Sequence, residues 1–133
     1  MSWWQKIYEN INSGDNFETP GKGIERIARG IFEVIGKNID KIIIRSGKSM
    51  IPLEESCFEV IEEFFNESPH GRLRIAAVHG NEPFMDSADK LIRERSGSQL
   101  ARANYVCSIL EKELLVCYVM QGNRKYIELN ARK

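Results

Sequence analysis

Nine side chains in the second half of the chain have types and spacing suited to holding phosphates and base edges. Arg102, Asn104, Tyr105, Ser108 and Lys112 recur so that a helix over 99–113 would carry them on one polar face. Arg93 and Arg95 end the helical pattern before it, and Arg124 and Lys125 stand at a hairpin tip. Guanidinium and ammonium groups neutralise phosphate oxygens, while amides, phenols and hydroxyls hydrogen-bond to base edges. The competing reading is plain solvation, because any surface helix has a polar face and most hairpin tips are wet.

These residues need elements to position them. Ser98 or Gln99 is a suitable opening for the helix, and Ala103, Val106, Cys107, Leu110 and Leu114, widened by Ile109, form its apolar face. The preceding helix runs from about Ser87 to Arg95. Asp86 and Ser87 are its capping residues, Ala88, Leu91 and Ile92 face inward, and Gly97 supplies a left-handed stop. After Leu114 the pattern alternates. Val116, Tyr118 and Met120 share one face, Gly122-Asn123 is a tight-turn signal, and Tyr126, Ile127 and Leu129 lie on the return strand. Upstream, a helix is expected over Pro52–Asn66, with proline and acids at its start and Phe58, Ile61, Phe64 and Phe65 on its apolar face. A short strand follows over Leu73–Val78.

The order is therefore helix, strand, helix, helix, strand, turn, strand. Over about residues 52–129 it resembles the winged helix-turn-helix superfamily. The resemblance implies an α+β fold, with a winged helix-like domain over 51–133 and an N-terminal helix plus β-hairpin extension over 1–50. It implies double-stranded DNA as partner, with helix 99–113 in the major groove and the wing on the backbone. A small transcription regulator, or a DNA-recognition subunit, acting as a dimer is the expected role. The alternative is a protein-protein interaction module, or a non-catalytic subunit of a defence or counter-defence system.

Within the first fifty residues, Trp3–Asn12 reads as a helix with a Ser2/Gln5 capping box. Asp15–Gly23 reads as a polar loop. A hairpin with arms near Ile31–Ile35 and Lys41–Arg45, turning at Gly36-Lys37-Asn38, is preferred, and a helix over 23–35 is the alternative. Gly47-Lys48-Ser49 is not a phosphate loop, since Ile42 stands where the first glycine would be.

The chain of 133 residues has no net charge, which weighs against a strongly basic nucleic-acid binder. The distribution is uneven. Residues 1–70 hold 8 Lys/Arg against 12 Asp/Glu, and residues 71–133 hold 11 against 7. No apolar run reaches the ~18 residues of a membrane span. The N-terminus lacks a signal-peptide pattern, and a cytoplasmic location is expected. Cys57, Cys107 and Cys117 have no metal-ligand spacing and read as reduced thiols. His79, Asn81 and Glu82, near Asp86 and Asp89, form a polar cluster that capping explains. No nucleophile and base are in order, so no catalysis, cofactor or metal is expected.

Overall fold

Hydrophobic alternation builds the amino-terminal sheet. The computed structural model describes residues 2–18, 31–75, 87–122 and 124–130. Strands β1 (Asn16–Glu18), β2 (Ile31–Asn38), β3 (Lys41–Ser46) and β4 (Ser49–Glu54) form an antiparallel sheet in the order β1-β2-β3-β4. Phe32, Val34, Ile42, Ile44 and Leu53 point into the core. Glu33, Ile43, Arg45 and Met50 fall on the other face by the period of two.

The expected hairpin near residues 31–45 is present, but its turn lies later. Asn38 pairs with Lys41 across Ile39-Asp40, and Gly36 sits where the register slips after Val34. A bulge uses the residue that looked like a turn. Ile31–Ile35 is strand; residues 23–30 of the helical alternative lie outside the described residues. Ser46 pairs with Ser49 across Gly47-Lys48, with Gly47 at φ 61°, so this segment is a two-residue hairpin turn.

The helix expected from Pro52 begins three residues later, as α2 (Glu55–Glu67). Pro52 belongs to β4, opposite Ile43. Counting from the Ser46–Ser49 pair places Pro52 at a position whose backbone groups point away from β3. A residue without an N–H costs the ladder nothing there.

Helix α1 (Trp3–Asn10) is capped by the Ser2 hydroxyl, which accepts from the Gln5 N–H at 3.1 Å. It packs on α2 through Trp4 against Phe58 and Trp3 against Phe65, with ring centroids 5.5 and 6.3 Å apart. Helix α3 (Ala88–Ser96) starts at its Ser87 cap and stops at Gly97, φ 74°, as the sequence predicts. Helix α4 (Ala103–Lys112) is shorter than predicted. The Ser98 N–H donates to Ser96 Oγ and the Leu100 N–H to Ser98 Oγ, so side-chain turns compete with helix in this stretch.

The second sheet is antiparallel, with β5 (Leu73–Arg74), β6 (Val116–Gln121) and β7 (Arg124–Leu129) in the order β5-β7-β6. Among the described residues the chain is α+β, with four helices and two antiparallel sheets. One hydrophobic cluster runs from Trp4 through Phe32, Phe58 and Val106 to Ile127. The expected domain boundary at residue 50 falls inside β4, and this cluster spans it. No helix among the described residues is long and apolar enough to cross a membrane.

Candidate nucleic-acid interface

Helix α4 lies between the two sheets. Its Ala103, Val106, Cys107, Ser108, Ile109 and Leu110 are all buried. Toward the first sheet, Ser108 Oγ donates to the Glu18 carbonyl of β1 at 2.5 Å. The Tyr105 hydroxyl lies 3.3 Å from Ser46 Oγ of β3, and its ring meets Phe32 edge-on at 5.1 Å. On the second sheet, burial pushes the Tyr118 hydroxyl of β6 well above its ordinary pKa, although a hydrogen bond with Ser108 works against this. The face predicted to enter a major groove is therefore the face on which the first sheet packs. Helical periodicity marks that face as polar and cannot tell water from strand carbonyls and hydroxyls.

The predicted cations divide accordingly. Arg102 is 1% exposed. Its Nη1 donates to the Pro52 carbonyl at 2.8 Å and to Glu54 Oε1 at 2.6 Å, and its Nη2 donates to Ser96 Oγ at 2.9 Å. It ties β4, the start of α2 and the end of α3 to the start of α4. Arg93 is buried in a two-point ion pair with Asp89 one turn earlier, at 3.0 and 3.1 Å. Both were expected at phosphates; both lie inside the protein, because each meets a carboxylate that its fold brings within reach. Arg95 is held by Glu63 of α2. Asn104 is half-buried, and Lys112 is exposed with its ammonium 5.6 Å from the Phe17 ring centre. Arg124 is exposed, and Lys125 is half-buried with its ammonium 5.2 Å from the Tyr118 ring centre.

A different group of cations does come together. Register pairs Leu73 with Ile127 and Tyr118, and Leu73 and Ile127 are buried. The alternate positions therefore share the opposite face of the β5-β7-β6 sheet. Arg74, Tyr126 and Val119 form one row across it, and Gln121 and Arg124 form another. Arg72, one residue before β5, donates through Nε to Glu128 Oε2 at 3.0 Å and reaches Gln121 Oε1 of β6 at 3.5 Å. Its side chain thus crosses the strand between them, while staying 45% exposed. Among the described residues this face carries three arginines, 72, 74 and 124, and one carboxylate, Glu128. Arg124 has no ion-pair partner among the described residues. Tyr126 stands in the middle of the central strand.

Arg72 and Arg74 were missed although the strand beginning at Leu73 was expected, because candidate contacts were sought on the helices and the hairpin tip. Their signal is the triplet Arg72-Leu73-Arg74, whose period of two sends leucine inward and both arginines outward on any strand.

Of the polar cluster near residue 80, Asp89 is used by Arg93, and His79, Asn81, Glu82 and Asp86 lie outside the described residues. No three metal-ligating side chains are grouped among the described residues. The cysteines are free thiols. Burial pushes Cys57 up to about 11 and Cys107 up to about 12, so neither is a ready nucleophile. No family model, no curated protein and no solved structure matches the chain.

Proposed function

We propose that this chain binds nucleic acid along the outer face of the β5-β7-β6 sheet. The observation that carries the reading is the grouping of Arg72, Arg74 and Arg124 on one face of this sheet, with Arg72 and Arg124 exposed and Glu128 the one carboxylate that its described strand positions add. Guanidiniums present forked donors to phosphate oxygens, and release of condensed counterions supplies the affinity. The element order α2-β5-α3-α4-β6-β7 is the order from which the winged helix resemblance was drawn, and it is consistent with a nucleic-acid role. The burial of Arg102, Ser108 and the Tyr105 contacts moves the expected surface away from α4. Lys125 alternates to the other face, beside the Tyr118 ring, and does not add to this surface.

The test is fluorescence anisotropy with labelled nucleic acid at several salt concentrations. Binding with a negative slope of log affinity against log salt is expected, and each of Arg74→Gln and Arg124→Gln should lower the slope's magnitude by about one. Absence of binding at ~10 μM protein and ~50 mM salt removes the reading.

A protein-interaction role is favoured by a separate surface. Ile31 and Met50 are 62% and 55% exposed on the first sheet, and Ile39 is 83% exposed at its turn. In that reading the arginine substitutions change nothing, and Met50→Lys abolishes partner binding.

A further inference from the structure

The outer strand of a sheet presents unpaired N–H and C=O groups, and folded chains blunt such edges with proline, charge, short strands or covering elements. Three of the four sheet edges here are blunted. β4 has Pro52, with the Arg102 guanidinium on its carbonyl. β1 is three residues long, with Ser108 of α4 on its Glu18 carbonyl. β5 is two residues long and bridges to Ser87 at Arg74. The fourth edge, β6, has none of these devices. Its six residues pair with β7 without a bulge, and they include no proline and no charged side chain.

The ladder fixes which groups of β6 face away from β7. Gln121 and Arg124 close the hairpin, and the Asn130 N–H donates to the Leu115 carbonyl at 3.2 Å. Leu115, Cys117, Val119 and Gln121 therefore bond to the return strand. The N–H and C=O of Tyr118 and Met120 point outward, and they have no hydrogen-bond partner among the described residues. Val116 has the same orientation but is 1% exposed, so its backbone is closed to a partner. Met120 is exposed.

We propose that β6 pairs antiparallel with β6 of a second copy of this chain, with Tyr118 of each copy opposite Met120 of the other and Val119 on the two-fold axis. This register uses every open group, because each Tyr118–Met120 pair exchanges two hydrogen bonds. It sets Cys117 opposite Gln121 of the other copy, so no charged side chains meet across the seam. An uncharged strand run antiparallel against itself is its own complement. The pairing closes at two copies, since the far edge of each three-stranded sheet is the blunted β5. The product is one continuous sheet in the order β5-β7-β6-β6-β7-β5. The dimer stands whether or not nucleic acid binds.

The experiment is sedimentation velocity without nucleic acid, from about 1 μM to about 1 mM protein, on the full chain, Met120→Pro, Val119→Lys and Val119→Glu. The parent chain should pass from monomer to dimer across this range. Met120→Pro removes only an outward N–H, as Pro52 does in β4, so the fold should survive while the dimer dissociation constant rises at least about tenfold. Val119→Lys and Val119→Glu each set like charges against one another on the axis and should stay monomeric. Mixed one to one, they should form a heterodimer. Thermal unfolding identifies any variant that fails to fold. Amide exchange of the parent chain needs no substitution: the Tyr118 and Met120 N–H groups should gain protection as concentration rises. A parent chain that is monomeric at every concentration overturns the proposal and leaves this edge to a strand of another protein. A dimer that survives both Val119 substitutions, or one that forms without protecting these two amides, overturns it as well.

Discussion

The Ser108 hydroxyl of α4 donates to the Glu18 carbonyl of β1, 90 residues away in sequence. This bond seals the most polar side of α4 under the first sheet. Replacing Ser108 with Ala removes this donor and the hydrogen bond between Ser108 and Tyr118. The expected loss is about 1–2 kcal/mol, read as a lower urea midpoint. Nucleic-acid affinity should not move. A Ser108→Ala protein of native stability with weakened binding would mean that this face is open to ligand.

Arg102 is a demanding side chain, since one buried guanidinium serves a carbonyl and a carboxylate of β4 and a hydroxyl of α3. Its Nε has no partner among the described residues, which marks the site as costly even when intact. Arg102→Ala should destabilise by roughly 3 kcal/mol. Arg102→Lys should recover little, because a single ammonium cannot span three acceptors set for a planar fork. Chemical denaturation of the two variants checks this. Native-like stability in the Ala variant would show that the guanidinium is not holding these elements together.

The same contact sets part of the acid response. Burial pushes the Glu54 carboxyl up, but the Arg102 guanidinium more than offsets it and holds the group below the usual carboxylate range. A lowered folded-state pKa contributes stability that is complete above the unfolded value, about 4.3, and drains as pH falls through the folded value. Glu59 has the opposite sign. Burial first, then the neighbouring Glu55 and Glu63, raise it. Its contribution is present below the unfolded value and is lost as pH rises. Thermal midpoints should therefore fall less steeply on acidification in Glu54→Gln than in the parent chain. Glu59→Gln should gain on the parent above about pH 4.3. Parallel curves for all three proteins would refute both assignments.

Leu114 adopts φ 63° and is 70% exposed. A side chain in the left-handed region costs roughly 1–2 kcal/mol, and little burial compensates here. Gly at this position relieves the strain but adds about 0.5–1 kcal/mol of unfolded-state entropy. Leu114→Gly should be neutral to stabilising by up to about 1 kcal/mol, and Leu114→Val should be worse than either, as a branched Cβ suits positive φ least. Differential scanning calorimetry ranks the three.

What was legible in the sequence was local. The Ser2 and Ser87 caps, the Gly97 stop and the carboxy-terminal hairpin each follow from a few neighbouring residues, and each is present. What was not legible depended on distant partners. Pro52 with Glu54 and Glu55 has the composition of a helix start, and only pairing with Ile43 turns Pro52 into strand. Tyr105 and Ser108 look like a wet face because their polar atoms are satisfied by Ser46 and Glu18, which no spacing rule links to them. Arg102 looks like a phosphate contact for the same reason: its carboxylate is 48 residues upstream. The arginines at 72 and 74 were readable from their alternation, but the strand that displays them is only two residues long.

The junction of Pro52 and Arg102 has a bearing on how the molecule behaves in a crowded solution. An open strand margin invites another chain to add on, and growth of that kind begins aggregation. Along β4 the proline offers no N–H at an outward position, and the guanidinium occupies the carbonyl that an incoming strand would need. The arginine is thus a guard against self-recruitment as well as a brace. Losing it would expose a template for fibre-like assembly at the moment the fold is weakened.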